Sequence, residues 1–210
     1  MRNDDELLAH YDVTTDDLSH FKENNIGLCR VDSSRISTLL LCQLVSFCKN
    51  RTFNVFSITD VIQGLEGCGL GHCSKKEEKF KHAPLLGFWK AHFSDARFLE
   101  QNIANHWGFK YKNSPKFLAL CEKVAKEEED NPTPHGWQGR LAHHLVITAY
   151  EERATRKKLT GEWLIFGKHK GKNYYLAAVR HSSTTQGDEE IHATLKHYCA
   201  DEFPAIFYGQ

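Results

Sequence analysis

Two apolar runs near the C-terminus constrain the chain more than any other feature. Trp163-Leu164-Ile165-Phe166-Gly167-Lys168-His169 and Tyr174-Tyr175-Leu176-Ala177-Ala178-Val179-Arg180 flank Lys170-Gly171-Lys172-Asn173. Aromatic and β-branched residues on either side of a Gly-containing polar turn predict an antiparallel hairpin. Apolar residues fall on both faces of each strand, so the hairpin is expected to be covered on both sides near its middle. The helix propensity of Trp137 to Lys158 precedes it, and the i, i+4, i+8 set Ile191, Leu195 and Cys199 follows it in a last helix capped by Thr185 or Asp188. Phe203-Pro204 ends that helix, and Ile206-Phe207-Tyr208 reads as a short strand.

The remainder reads as helical. Thr14 or Thr15 caps a helix carrying Leu18 and Phe21, and Ser33 or Ser34 starts one with Ile36, Leu39, Leu40, Leu44 and Phe47 at helical spacing. Ser57 or Thr59 precedes a shorter helix stopped by Gly67. Further helices are expected over Ala96 to Trp107 and from Pro115 onward. The acid run Glu127 to Asp130, followed by Pro132 and Pro134, cannot continue a helix. The expected fold is therefore α+β: a helical region over 1–130, then a helix–antiparallel hairpin–helix module over 131–210, packed as one unit with the first.

No apolar stretch approaches the roughly 18 residues of a membrane span. The seven cysteines form no Cys-x-x-Cys pair, and the acidic N-terminus lacks a signal-peptide apolar region. Cytoplasmic residence with reduced thiols is the expectation, without a membrane partner. Net charge is zero, but it is unevenly spread: residues 153–180 hold eight bases against Glu162 alone, and residues 1–24 hold seven acids against Arg2 and Lys22. A local basic surface attracts phosphates even on a neutral molecule; the same bases also suit a helix C-terminus and a solvated turn.

The motifs of P-loop nucleotidases, dinucleotide enzymes, zincins and α/β-hydrolases are absent. Cys68, His72, Cys73, His82 and His92 cluster around a Gly-rich loop, but their spacing matches no zinc finger. Glu189-x-x-His192 is half of a di-iron ligand pattern whose other parts are missing. No cofactor or metal is therefore assigned.

The basic hairpin remains. Cleaving RNA without a metal requires a base for the 2′-hydroxyl, an acid for the leaving oxygen and a fixed cation. Lys168, His169, Arg180 and His181 supply those residue types, and Ser182 and Thr184 add hydroxyls. Over residues 137–210 the order of helix and basic antiparallel strands resembles the barnase, colicin and RelE type of small ribonuclease. The resemblance is one of architecture, without a shared motif. It implies a metal-independent ribonuclease-like activity on RNA or another phosphate-rich ligand.

His169 lies at the turn and His181 beyond the opposite strand end, about 20 Å away at the strand rise, so one phosphate cannot use both. The strand end is the preferred catalytic site: Arg180 and His181, completed by Arg140 and His144 of the preceding helix, where His135 and His143 are further candidates. Lys168, His169, Lys170, Lys172, Arg156 and Lys157 are the expected nucleic-acid contacts. The alternative is a non-catalytic interaction module, with or without a structural metal, whose acidic N-terminal segment and basic hairpin pair with each other or across a homo-oligomer. The dense aromatics Phe88, Trp89, Phe93, Phe98, Trp107, Phe109 and Tyr111 are read as core rather than as a base-stacking platform.

Overall fold

A computed structural model describes residues 4–68, 77–93, 99–109, 114–149, 151–152, 162–182 and 184–209. The fold is α+β, with helices and a four-stranded antiparallel sheet. Among the described residues no helix is long and apolar enough to cross a membrane. The chain forms two compact units, residues 1–93 with 161–210, and residues 94–160.

The first unit begins with helices α1 (Asp4–Tyr11) and α2 (Thr15–Asn24). Thr14 caps α2 reciprocally: its hydroxyl accepts the Asp17 N–H, and the Asp17 carboxylate accepts the Thr14 N–H. The acidic segment also pairs within this unit, Asp17 with Lys49 at 3.3 Å. Helix α3 (Thr38–Asn50) starts later than the Ser33 or Ser34 expected. Asp32 instead caps a short 3₁₀ turn over Ser33–Arg35, Ile36 makes a parallel bridge to Tyr175, and Ser37 then caps α3 by accepting the Leu40 N–H. The tertiary contact at Ile36 delays the helix. Asn54 similarly pre-empts Ser57 and Thr59 as the cap of α4 (Val55–Leu65).

The sheet runs β1-β2-β3-β4, with β1 at Glu78–Lys79, β2 at Trp89–Phe93, β3 at Glu162–His169 and β4 at Lys172–Val179. The hairpin forms where the sequence places it, but its turn is only two residues long. Lys170 and Gly171 take φ of 48° and 74°, while Lys172 and Asn173 already pair with His169 and Lys168. Successive left-handed residues suit the twist of a two-residue hairpin turn. Pairing shifts between Ile165 and Phe166, so Leu176 bulges out of the ladder.

Both faces of the sheet are covered. On one side α4 packs on β2, with Phe53 meeting Phe93 edge to face at 5.8 Å. On the other lie α8 (Thr185–Cys199) and α9 (Pro204–Phe207). A Cβ on Gly167 would stand 2.2 Å from Ile206 Cγ2, so glycine is what lets α9 lie on β3. The strand expected at Ile206-Phe207-Tyr208 is absent for a local reason: Pro204 opens the short helix α9, with its φ pre-set for a first turn.

The outer backbone edge of β4 is occupied. The Ser37 N–H donates to the Tyr175 carbonyl at 2.9 Å, and the Ser37 hydroxyl to the Leu176 carbonyl at 2.5 Å. The Ala178 N–H donates to Gln43 Oε1 at 2.8 Å, and Arg35 to the Asn173 carbonyl at 3.0 Å. These bonds satisfy groups that an edge strand would otherwise expose.

The second unit contains α5 (Leu99–Trp107), α6 (Pro115–Asp130) and α7 (Gly136–His143) around Trp107, Leu120, Val124 and Ala149. The helix expected as continuous from Trp137 passes into a π-helical turn at His144–Thr148. The Pro132–Gly136 segment, expected to divide 1–130 from 131–210, lies inside this unit and joins α6 to α7. The prolines break the helix, but the Glu128 carboxylate accepts both the Thr133 N–H and the Arg140 Nε–H at 2.7 Å and ties the two helices together.

Candidate functional site at the end of the hairpin

The two ends of β3–β4 differ in how their cations are used. At the turn, Lys168 donates to Glu77 at 2.5 Å and its ammonium lies 4.4 Å over Trp89. Behind it Arg35 grips Glu66 with two bonds of 2.9 and 2.6 Å, and the Tyr175 hydroxyl donates to the same carboxylate at 2.7 Å. The Arg35 hydrogen bonds hold the Glu66 carboxyl below its ordinary value. Burial, then the neighbouring carboxylate, push the Tyr175 phenol well above its own. His169 is half-buried, and Lys170 and Lys172 are exposed. Of the expected nucleic-acid contacts, Lys168 is engaged within the fold, and Arg156 and Lys157 lie outside the described residues.

At the other end β4 runs out at Val179. The buried Glu162 carboxylate at the start of β3 accepts the His181 backbone N–H and turns the chain out of the sheet. Ser182 then folds the loop back: its hydroxyl donates to the Thr184 carbonyl at 2.8 Å and accepts the Thr184 N–H at 3.2 Å. Thr184 caps α8 by accepting the Gly187 N–H at 3.1 Å. A Cβ on Gly187 would lie 2.5 Å from Ser182 Oγ, so this close approach needs the glycine. Between strand end, loop and helix lies an open cleft of about 440 Å³, lined by Arg180, His181, Ser182, Thr184 and Glu190 among others. Arg180 and His181 are exposed, and Arg180 makes no ion pair among the described residues. Arg180, His181, Ser182 and Thr184 thus line one cleft.

The other two expected catalytic residues make their contacts within the second unit. Arg140 and His144 belong to the second unit, where Arg140 is bound by Glu128 and the Asn131 carbonyl, and His144 lies 3.2 Å from Glu127 and 3.1 Å from Thr148. The His144 hydrogen bond lowers the Glu127 carboxyl, and the Thr133 N–H followed by Arg140 lowers that of Glu128. These are the contacts that hold α6 and α7 together, which accounts for both residues structurally.

Strand β2, which no element expected from the sequence covers, brings a second imidazole. His92 pairs with Trp163, and Trp163 with Val179, so the three stand in a row across the sheet. His181, two residues beyond Val179, returns to that row: its ring lies 4.2 Å from Trp163 and 6.1 Å from His92, with the two imidazole planes only 23° apart. Lys90 is on the same face of β2, with its ammonium 4.2 Å over the Trp163 ring and 5.0 Å over Phe80.

No group of three or more metal-ligating side chains occurs among the described residues. Cys68 donates to the Gln63 carbonyl, His82 is exposed, and His72 and Cys73 lie outside the described residues. His192, the imidazole of the Glu189-x-x-His192 pattern, sits edge-on to Phe88. Comparisons with protein-family models, curated proteins and solved structures return no match for this chain.

Proposed function

We propose that this chain acts on RNA as a metal-independent, ribonuclease-like protein whose substrate phosphate enters the cleft at the end of β4. The observation that carries this reading is the company kept there by Arg180 and His181. A guanidinium with no ion pair among the described residues and an exposed imidazole line one open cleft with Ser182, Thr184 and Thr194 and the first turn of α8. A guanidinium binds phosphate oxygens in pairs, a helix N-terminus favours negative charge, and an imidazole moves protons near neutral pH. The cleft falls within the size range of small-ligand sites, large enough for a nucleotide.

The test is incubation of end-labelled single-stranded RNA with the full chain in EDTA, at two salt concentrations. Cleavage that persists in chelator, falls as salt rises and is lost in Arg180→Ala and His181→Ala supports the reading, provided both variants keep the wild-type circular dichroism spectrum. No cleavage by the wild type, or equal cleavage by both variants, overturns it.

A further inference from the structure

Building on that ribonuclease reading, we infer that His92 of β2 is the acid–base partner of His181, and that the scissile phosphate lies against this imidazole pair. An in-line displacement at phosphorus keeps the entering and leaving oxygens roughly 3.5 Å apart, and each meets its proton-transfer nitrogen at about 2.8 Å. Two imidazoles serving one phosphorus therefore stand roughly 6–9 Å apart. The His92 and His181 rings lie near-parallel with centroids 6.1 Å apart, close enough for one nitrogen of each to reach a single phosphate. His169 is out of reach, because it sits at the far end of the same strands.

The pair is also held in place. The β2–β3–β4 register puts His92 beside Trp163 and Trp163 beside Val179, while Glu162 fixes the backbone of His181. Trp163, 3% exposed, is a rigid wall 4.2 Å from the His181 ring. Arg180 lines the adjoining cleft, and Lys90 shares the face of β2 that carries His92.

In the step this geometry serves, one neutral imidazole takes the proton of the ribose 2′-hydroxyl. The 2′-oxygen forms a bond to phosphorus as the bond from phosphorus to the 5′-oxygen breaks. The other imidazole, protonated, gives its proton to that departing oxygen. The products are a 2′,3′-cyclic phosphate and a 5′-hydroxyl, and the enzyme ends with its single proton exchanged between the two rings. Substrates lacking a 2′-hydroxyl bind in the cleft and are not cleaved.

The experiment measures turnover of a short RNA by the full chain in EDTA across pH 4–9, for wild type, His92→Ala, His92→Asn and His181→Ala. The wild type is expected to leave cyclic phosphate ends with a bell-shaped pH profile, because one ring must be neutral while the other is charged. Each histidine variant is expected to lose at least about a hundredfold in turnover and one limb of the bell. A substrate with sulfur in place of the leaving 5′-oxygen needs no acid, so it restores turnover in whichever variant lacks the acid and not in the other. His92→Asn, checked by its melting temperature, separates loss of the imidazole from loss of the fold. Wild-type turnover and both pH limbs in His92→Asn overturn the inference while leaving the cleft reading intact. A wild type that cleaves RNA without making cyclic phosphate overturns the inference alone, and a wild type that does not cleave overturns both.

Discussion

The two ends of the β3–β4 hairpin carry similar residues and use them differently. At the turn, Lys168 is paired with Glu77, and the adjacent polar groups close around Glu66. At the open end, Arg180 and His181 face a cleft, and the nearby carboxylate of Glu162 is spent on a backbone N–H. Charge count alone would favour the turn, which has three lysines within five residues. What distinguishes the ends is where the carboxylates go: a cation already matched inside the protein has less to give a phosphate.

The largest expected effect separates the ends by chemistry. His181→Ala should lower RNA turnover by roughly a hundred- to ten-thousandfold, the usual contribution of an acid–base group, while His169→Ala leaves it unchanged. Equal losses in the two variants, in a chelator-containing cleavage assay, would erase the distinction. The next effect belongs to the turn and concerns stability. Arg35→Ala strips the half-buried Glu66 of its main partner and should cost about 3 kcal/mol in urea unfolding, with turnover of the remaining folded protein preserved.

The same network sets two limbs of a stability–pH curve. The Glu66 carboxyl is lowered in the folded state, so its contribution is complete above about pH 4.5 and fades as pH falls through the folded value. The Tyr175 phenol is raised, so its contribution is complete below about pH 10 and fades above it. Glu66→Gln should flatten the acid limb and Tyr175→Phe the alkaline one, as read by chemical denaturation at each pH. Gly171→Ala, at a φ of 74°, should cost about 1 kcal/mol without touching the cleft. The smallest effect is on the salt dependence of binding to uncleavable single-stranded DNA. Arg180→Ala should lower its slope by about 0.7, the value of one phosphate contact, and Lys168→Ala should leave it nearly unchanged.

The hairpin was legible because its signals are local: a glycine at the turn and long apolar runs on both sides. The strand-end residues are legible as a group for the same reason, since Arg180, His181, Ser182 and Thr184 are neighbours in sequence, whereas the cleft beside them is not. Strand β2 was not assigned. Trp89, Ala91 and Phe93 do alternate with Lys90 and His92 after the turn residues Pro84 and Gly87, but five residues with no second run close by do not announce a strand, and the partner lies some seventy residues away. From the sequence alone His92 therefore stands out only as a metal-ligand type. Its neighbourhood with His181 depends on two strand registers that no local pattern specifies. Charge and adjacency in sequence suggest Arg140 and His144 for the site, but say nothing of their partners. The side chains that claim them, Glu127 and Glu128, sit across a proline-rich turn that reads as a boundary.

The sealed edge of β4 also bears on how exactly chemistry can be placed at its end. A strand that slips by one residue turns every side chain over, so Arg180 would take the side of the sheet where His181 now stands. Ser37, Gln43 and Arg35 grip the strand at Asn173, Tyr175, Leu176 and Ala178, and such a slip would break all of these grips together. The helical layer thus acts as a ratchet pawl on the outermost strand, allowing one setting and no intermediate. The position of His181 relative to the neighbouring strands is a fixed choice of tooth rather than an adjustable distance.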